Sequence, residues 1–449
     1  MSMMNHARDS LLRIFRAALT ASDPGRLVKE TLRAGAEEVS LVCGGTAASA
    51  PWSGTGRIFL VGGGKAGRTM GDAVLAAIGN RVSSGTLAVP AGSGGGARAV
   101  RFIEAGHPHP DRGSLAAARD ILSLLSRAGE GDLVIALLSG GGSALLSAPV
   151  EGVSPEEKAT LSTHLLRAGA DIASFNTVRK HLSRIKGGRA ARAAYPARVW
   201  ALLLSDVLGD DPSVIASGPF SPDPTTYGDA LEILSRLGNL HEVPRSVLRH
   251  LEAGAAGEVS ETLKPGDPAF SSVTCAVVGS NRTALEAAAA AAKTEGLSPI
   301  RLLPGFLSGE ARGCAKAFVA EMRHLLSSLS QGQTALLIAG GETTVHVKGT
   351  GKGGRSQEFA LSAALELSGT VGLTVLCGGT DGVDGPTDAA GAIADGSTCD
   401  RAKENGLSPP SFLENNDAYS FFRALGDLVV TGPTGTNVAD VVIGLVSKG

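Results

Sequence analysis

Arg57-Ile58-Phe59-Leu60-Val61-Gly62-Gly63-Gly64-Lys65 is an apolar run that ends in three glycines and a lysine. The run reads as a strand buried on both faces, and the glycines let the backbone turn sharply and lie close against a ligand. A helix is expected to start near Lys65 and Ala66, where successive N–H groups make a seat for an anion. Four more turns repeat the pattern: Leu138-Ser139-Gly140-Gly141-Gly142-Ser143, Ala339-Gly340-Gly341-Glu342-Thr343, Cys377-Gly378-Gly379-Thr380-Asp381 and Thr431-Gly432-Pro433-Thr434-Gly435-Thr436-Asn437. Glycine turns that keep recurring after apolar strands predict an α/β protein handling an anionic substrate, phosphate above all.

Outward from this run, residues 5–47 read as two helices, with Asp23 capping the second and Pro24 in its first turn. Strands are expected at 86–89, 100–104, 132–138 and 200–204, a flexible loop at 92–96, and a helix at 113–127 capped by Asp111. Apolar strands alternating with helices mark βαβ units and a parallel sheet. Breakers between 240 and 272 suggest a junction. Beyond it, strands are expected at 273–278, 299–303, 334–338, 344–348, 373–376 and 427–431, with helices at 283–294 and 308–329. The closeness of 338 and 343 allows a hairpin, hence a mixed second sheet, and 438–446 could return to either domain.

The 449 residues exceed one ordinary core, so two domains are the expectation, at 1–250 and 270–449. Glycine supplies 61 residues and aromatics only 4%, so the core must be aliphatic and alanine-rich. A net charge of -2 without a basic, aromatic-interleaved stretch argues against a nucleic-acid partner. Five cysteines without a CxxC spacing argue against disulfides and structural zinc. No apolar stretch reaches the roughly 18–20 residues needed to span a bilayer, and by elimination the expected location is cytoplasmic.

Several side chains carry candidate chemistry. A cation at a helix start opposes the helix dipole, so Lys65, beside Gly63 and Gly64, makes most sense next to a bound phosphate or carboxylate; the alternative is an exposed first-turn lysine. That turn is not a Walker A motif, and Gly67 and Gly71 beyond it permit tight packing. Ser139, Gly140, Gly141, Gly142 and Ser143 form an expected anion nest, with Ser143 near a helix cap; the GxSxG nucleophile elbow is absent. Asn176, Arg179 and Lys180 crowd one helix, and like charges so close call for a counter-anion, which Arg179 would clamp bidentately; a solvated helix face is the alternative. Asp206 and Asp210 follow a parallel strand and suit Mg²⁺, or for Asp210 equally a capping loop. Glu342, Arg355 and Gln357 gather around two glycine turns. Asp381 and Asp384 fail the EF-hand register and suit Mg²⁺ or a substrate hydroxyl, with Asp384 placed to accept the hydroxyl proton. His107, in His107-Pro108-His109-Pro110, reads as part of a rigid loop that could touch substrate.

Together these segments resemble the glycerate 2-kinase family whose C-terminal domain is called MOFRL, proteins also named hydroxypyruvate reductases of tartrate degradation. The resemblance runs through Gly62-Gly63-Gly64-Lys65-Ala66, Gly106-His107-Pro108, residues 138–145, 176–188, 205–219, 340–344, 353–358 and 379–391, Asn415-Asn416-Asp417, and 431–437. It implies an α/β protein of two domains, an N-terminal Rossmann-like parallel-sheet domain and a smaller C-terminal α/β domain, with its site in the cleft between them. It further implies ATP and Mg²⁺ as cofactors, D-glycerate as substrate and phosphorylation of the 2-hydroxyl, by a monomer or homodimer. Lys65 and Arg355 match the family's basic cleft residues. Two positions depart from the family pattern: Ser356 and Ala439 stand where Asn is common.

The expected chemistry is in-line phosphoryl transfer. The carboxylate of glycerate would be held by Arg179 or the 139–143 nest, the hydroxyl oriented by Asp384, and phosphate charge offset by Lys65, Arg355 and Mg²⁺, with Asp206, Asp210 and Asp381 as metal ligands and Asn437 at the substrate. An NAD(P)H-dependent hydroxypyruvate reductase is the first alternative. Its dinucleotide fingerprint is incomplete here, with no acidic residue about 20 positions on at the end of an apolar strand. A non-catalytic organic-acid or nucleotide-binding protein is the second.

Overall fold

The computed structural model describes residues 3–97 and 99–449, with side chains from residue 6 onward. The chain forms two compact units. The Lys65 unit comprises Pro24–Ser205 and Asp210–Val278; the Arg355 unit comprises Met1–Asp23, Asp206–Gly209 and Gly279–Gly449.

The Lys65 unit is built on a seven-stranded sheet. Its order is Val273–Gly279, Arg198–Leu204, Leu133–Leu138, Ile58–Gly63, Val82–Val89, Val100–Glu104 and Gly95–Ala97. From Arg198–Leu204 to Val100–Glu104 every neighbouring pair is parallel, and Gly95–Ala97 adds an antiparallel edge. Ile58–Gly63 and Leu133–Leu138 are buried at every position, as their unbroken apolar runs require between two helical layers. Side-chain caps start two of the helices, the first at the expected Asp111. Ser114 N donates to Asp111 Oδ1 at 2.9 Å to open Arg112–Leu125, and Ser154 with Glu157 forms a capping box on Pro155–Arg167. Such caps are worth about 1 kcal/mol each.

Several elements differ from the sequence expectation. The second helix is short, Pro24–Thr31, and residues 32–51 form a three-stranded antiparallel sheet instead of continuing it. Gly44 and Gly45 take φ of 52° and 84°, the two-residue hairpin geometry that a helical reading of this stretch overlooks. Part of the 92–96 loop is strand Gly95–Ala97. Val273–Gly279, expected to open the second sheet, is hydrogen-bonded at the edge of the first.

The Arg355 unit carries a six-stranded mixed sheet ordered Ile300–Glu310, Thr334–Thr344, Asp440–Ser447, Leu373–Gly379, Gly391–Asp395 and Leu428–Val429. Only the first pair is parallel; the other four are antiparallel. No hairpin forms at 338–343, because Thr334–Thr344 runs on as one strand between its two partners. The C-terminal Asp440–Ser447 takes the middle of the sheet, buried over its first seven residues. Phe318, Met322, Leu337, Phe359, Val375 and Val442 pack one face of the core, and Ala360, Leu361, Phe421 and Phe422 a neighbouring cluster. The N-terminal helix Met3–Ala21 belongs here too. Its apolar stripe Leu11, Ile14, Phe15 and Ala18 is buried, and Phe15 lies so near Gly378 that a Cβ there would sit 2.7 Å from its ring. Arg8 pairs with Asp395 at 2.8 Å, and Arg13 with Glu295 at 2.8 Å.

Candidate active site

After Ile58–Gly63 the chain adds strands on one side of it, Val82–Val89 and Val100–Glu104, and then crosses to the other side with Leu133–Leu138 and Arg198–Leu204. The direction of winding therefore reverses between Ile58–Gly63 and Leu133–Leu138, and in open parallel sheets ligands bind beyond the carboxyl ends of strands at such a reversal. The first two glycine turns flank this crevice and touch. Lys65 N donates to Gly140 O at 2.8 Å, and Ala66 N donates to Ser139 Oγ at 3.1 Å. Gly64 has φ of 149°, and a Cβ there would fall 2.0 Å from Ser139 Oγ, so only glycine fits. A Cβ on Gly141 would lie 3.0 Å from His107 Cδ2 and 3.3 Å from Lys65 Cγ. The half-buried Lys65 and exposed His107 thus come together over the second turn.

Beside them lies a chain of hydroxyls. Ser143 Oγ and Ser217 Oγ are 2.7 Å apart, and Ser217 Oγ donates to Asn176 Oδ1 at 3.0 Å. Ala216 and Ser217 hold φ of 51° and 62°, a left-handed backbone that costs non-glycine residues about 1–3 kcal/mol each and clusters at functional sites. Asn176 and Arg179 stand one turn apart on Ile172–His181, with the Arg179 guanidinium 4.4 Å above the Phe175 ring. Burial pulls the Arg179 guanidinium down to about 10. Lys186 Nζ donates to Ser143 O at 2.9 Å and Leu146 O at 2.6 Å, which ties the second glycine turn to the segment after Ile172–His181. Lys180 is not brought to this group as an unpaired cation: it is buried against Asp223, Nζ to Oδ1 3.4 Å. Ser139 is also fully buried, its Oγ serving the Ala66 N–H.

In the Arg355 unit, Arg355 opens the helix Arg355–Leu367. Its Nε donates to Asp440 Oδ2 at 2.6 Å, its Nη2 to Asp440 Oδ1 at 3.0 Å, and its Nη1 to Glu342. Burial opposes its charge, but Asp440 and Glu342 outweigh that and hold the guanidinium above its ordinary value. Asp440 is paired across the sheet with Gly341 and with Gly379, so the third and fourth glycine turns frame it. Burial keeps the Asp440 carboxyl raised, only partly offset by Arg355. Asp384 is 3% exposed, and its two oxygens accept the N–H groups of Ser356 at 3.1 Å and Gln357 at 2.8 Å. Burial and then the charge of Asp440 push it up to about 7. These bonds make Asp384 a cap on the helix that carries Arg355, an arrangement that closes it off from a substrate hydroxyl. Gln357 Nε2 donates to Thr387 Oγ1 at 2.9 Å.

Asp206 groups with the Arg355 unit, where Asn437 Nδ2 donates to its Oδ2 at 3.1 Å. The same 431–437 turn reaches Asp381, Thr434 N donating to Asp381 O at 3.3 Å. Asp206 and Asp381 are both partly exposed, whereas Asp210 belongs to the Lys65 unit. Among the described residues no three His, Cys, Asp or Glu gather to hold a metal. Mg²⁺ usually takes one or two carboxylates plus phosphate oxygens, so Asp206 and Asp381 fit as donors and a three-aspartate set with Asp210 does not form. A cavity of about 1160 Å³ lies at the other end of the second sheet, lined by residues such as Glu295, Thr334, Leu373 and Ser447, and holds none of these groups.

Sequence reasoning passed over Asp440 and Ser217. An acidic residue opening an apolar strand signals Asp440; Ser217 carries no local signal.

Fold and site together define an α/β protein of two units, each carrying glycine turns beside a basic residue, Lys65 in one and Arg355 in the other. Residues 10–252 match the family described as "Domain of unknown function (DUF4147)", and residues 335–440 match the MOFRL family. A "D-glycerate 2-kinase" of Thermotoga maritima is 41% identical over 97% of this chain and 97% of its own. A relative from Agrobacterium vitis, 41% identical over 97% of this chain and 93% of its own, bears a hydroxypyruvate reductase name. The crystal structure of glycerate kinase from Thermotoga maritima superposes with a TM-score of 0.84 at 40% identity, covering 98% of this chain and 100% of that one. The chain belongs to the glycerate kinase family that carries a MOFRL region.

Proposed function

We propose that the protein transfers the γ-phosphoryl group of ATP to the 2-hydroxyl of D-glycerate, giving 2-phosphoglycerate and ADP. The observation that carries this is the contact of two glycine turns at the reversal of the parallel sheet, with Lys65 and His107 over Gly141, in a chain alike throughout to a D-glycerate 2-kinase. Phosphoryl transfer asks little covalent chemistry of the protein; it needs positioning and charge. Lys65 and the N–H group of Gly141 receive phosphate oxygens, and Arg355 supplies a second fixed cation. Arg179, Asn176 and Ser143 hold the hydroxy acid, and His107 orients it. Asp384 positions Arg355 through the helix start instead of taking the hydroxyl proton. Asp206 and Asp381 are the carboxylates that would hold Mg²⁺, which when bound neutralises phosphate charge. The five cysteines are free thiols, in keeping with a proposed cytoplasmic location.

The hydroxypyruvate reductase alternative draws on the name of a relative, but although Gly62, Gly64 and Gly67 have the dinucleotide spacing, no acidic residue ends the next parallel strand, Val82–Val89, to take a ribose hydroxyl. Incubation with ATP, Mg²⁺ and D-glycerate, followed by product identification, decides between them. ADP release with 2-phosphoglycerate is expected. 3-Phosphoglycerate as product, or NADH oxidation by hydroxypyruvate without ATP, overturns the proposal.

A further inference from the structure

Asn415-Asn416-Asp417 grips the segment that leads into Arg355. Five consecutive backbone N–H groups of that segment, 348–352, end on these three residues. Lys348 N donates to Asn416 Oδ1 at 2.8 Å, and Gly349 N to the same oxygen at 3.0 Å. Thr350 N donates to Asn415 Oδ1 at 3.1 Å, Gly351 N to Asn415 O at 2.9 Å, and Lys352 N to Asp417 Oδ1 at 2.9 Å. The fit needs glycine: a Cβ on Gly349 would overlap Asn415 O, and one on Gly351 would overlap the Asp417 Cβ. Residues 348–352 lie outside every strand and helix and are exposed or half-buried. Water could serve their N–H groups, and fixing each residue costs about 1–2 kcal/mol of conformational entropy. A surface loop held at every N–H therefore has its path set by the protein against that cost.

Asn416 carries the grip on to the helix. It is buried, and its φ of 53° is a left-handed backbone that asparagine bears better than most residues. Its amide uses all four of its hydrogen-bonding positions. Oδ1 takes the two N–H groups above, while Nδ2 donates to Glu358 Oε2 at 2.8 Å and to His346 O at 3.3 Å. Glu358 stands three residues after Arg355 in the first turn of Arg355–Leu367, on the same side of the helix. Its other oxygen takes Arg312 Nε at 2.8 Å, and Arg312 Nη2 donates back to Leu413 O at 2.7 Å. Asp384 caps this helix start and Asp440 holds the guanidinium. Asn416 adds the direction in which the chain enters, joining residues 348–352 and the first helical turn into one piece. We propose that Asn416, with Asn415 and Asp417, is a positioning residue for phosphoryl transfer, fixing the approach of the chain to Arg355 and so the place of its guanidinium. This rests on the glycerate kinase reading, in which Arg355 offsets phosphate charge.

The test uses the full-length protein and the variants N416G, G349A, R355Q, N416G/R355Q and G349A/R355Q. N416G removes the amide and suits the left-handed backbone, while G349A pushes the same segment off Asn415 from the other side. Each breaks the grip independently, so one that fails to fold leaves the other to decide. Misplacing a catalytic group by about 1 Å costs up to roughly 100-fold, so N416G and G349A are expected to lower kcat for 2-phosphoglycerate formation by roughly 10–100-fold. If they act through Arg355, they lower kcat by no more than about twofold further in the R355Q background, while the fall in thermal midpoint they cause is the same in both backgrounds. Equal fold-losses of kcat with and without Arg355 show a support of the fold alone and overturn the proposal. A folded N416G or G349A enzyme with kcat within about twofold of the wild type overturns it too; in both cases the kinase reading stands. A wild type that makes no 2-phosphoglycerate overturns the kinase reading, and this proposal with it.

Discussion

Arg355 grips Asp440 along one edge of its guanidinium, Nε to Oδ2 at 2.6 Å and Nη2 to Oδ1 at 3.0 Å. Asp440 is the first residue of the middle strand of the second sheet, and its side chain is 2% exposed. A flexible arginine is thereby fixed to the most constrained strand of its unit. A bidentate pair locks direction as well as charge, which is what a cation offsetting charge in a transition state needs.

Asp440→Asn removes the counter-charge and keeps the shape. Breaking one side of a buried pair costs about 3–5 kcal/mol, so the thermal midpoint should fall by several degrees, and kcat by roughly 10–100-fold as Arg355 loses its orientation. Calorimetry and steady-state kinetics measure both. An unchanged kcat in a destabilised protein would leave the pair a purely structural one.

Lys65→Met tests the glycine-turn cation without touching a packed core. A single charged stabiliser of a transition state is worth roughly 10²–10³ in rate, so kcat/KM should drop by that order while the thermal midpoint moves little. Full activity in this variant removes Lys65 from the reaction.

Asp384 has a distinct pH signature. Its carboxyl is raised from 3.8 to about 7, so between these values the folded protein holds the proton more tightly than the unfolded chain. By linkage its stabilising contribution is present below pH 3.8 and is lost as pH rises through about 7. Asp384→Asn abolishes this titration, so the difference in thermal midpoint between variant and wild type should shift in favour of the variant from pH 5 to pH 8. Parallel profiles across that range contradict the burial of Asp384.

Ala439, where the family commonly has Asn, holds φ of 64°. Left-handed backbone costs an L-residue about 1–2 kcal/mol, and asparagine and glycine bear it best. Ala439→Gly should therefore raise stability by about 0.5–1 kcal/mol in denaturant titration, the gain trimmed by the entropy glycine loses on folding. A loss of stability would show that the Ala439 methyl contributes more by packing. The second departure has a different outcome: Ser356 Oγ is buried without a hydrogen-bond partner, and nothing in the structure explains the choice of serine there.

Where apolar runs were long and caps local, the elements were legible. Arg112–Leu125 begins at its predicted cap Asp111, and Leu133–Leu138 is the fully buried parallel strand its composition demanded. Residues 32–47, expected to be helical, form strands because Gly44-Gly45 reverses the chain between segments whose apolar period is weak. Arg179 and Asn176 were legible as a basic helix face, whereas the neutralising partner of Lys180 lies 43 positions along the chain, out of reach of any local pattern.

By itself the amino-acid order determined the α/β class, the five glycine turns and the candidate cations, since these depend on short-range rules: burial of apolar runs, turns only glycine can make, and charge at helix ends. The tertiary structure alone decided which cations meet a counter-charge. Lys180 meets Asp223 and Arg355 meets Asp440. Those outcomes turn on strand order and helix packing, which bring distant residues within a few ångströms, where the Coulomb energy is large, and no spacing along the chain encodes that distance.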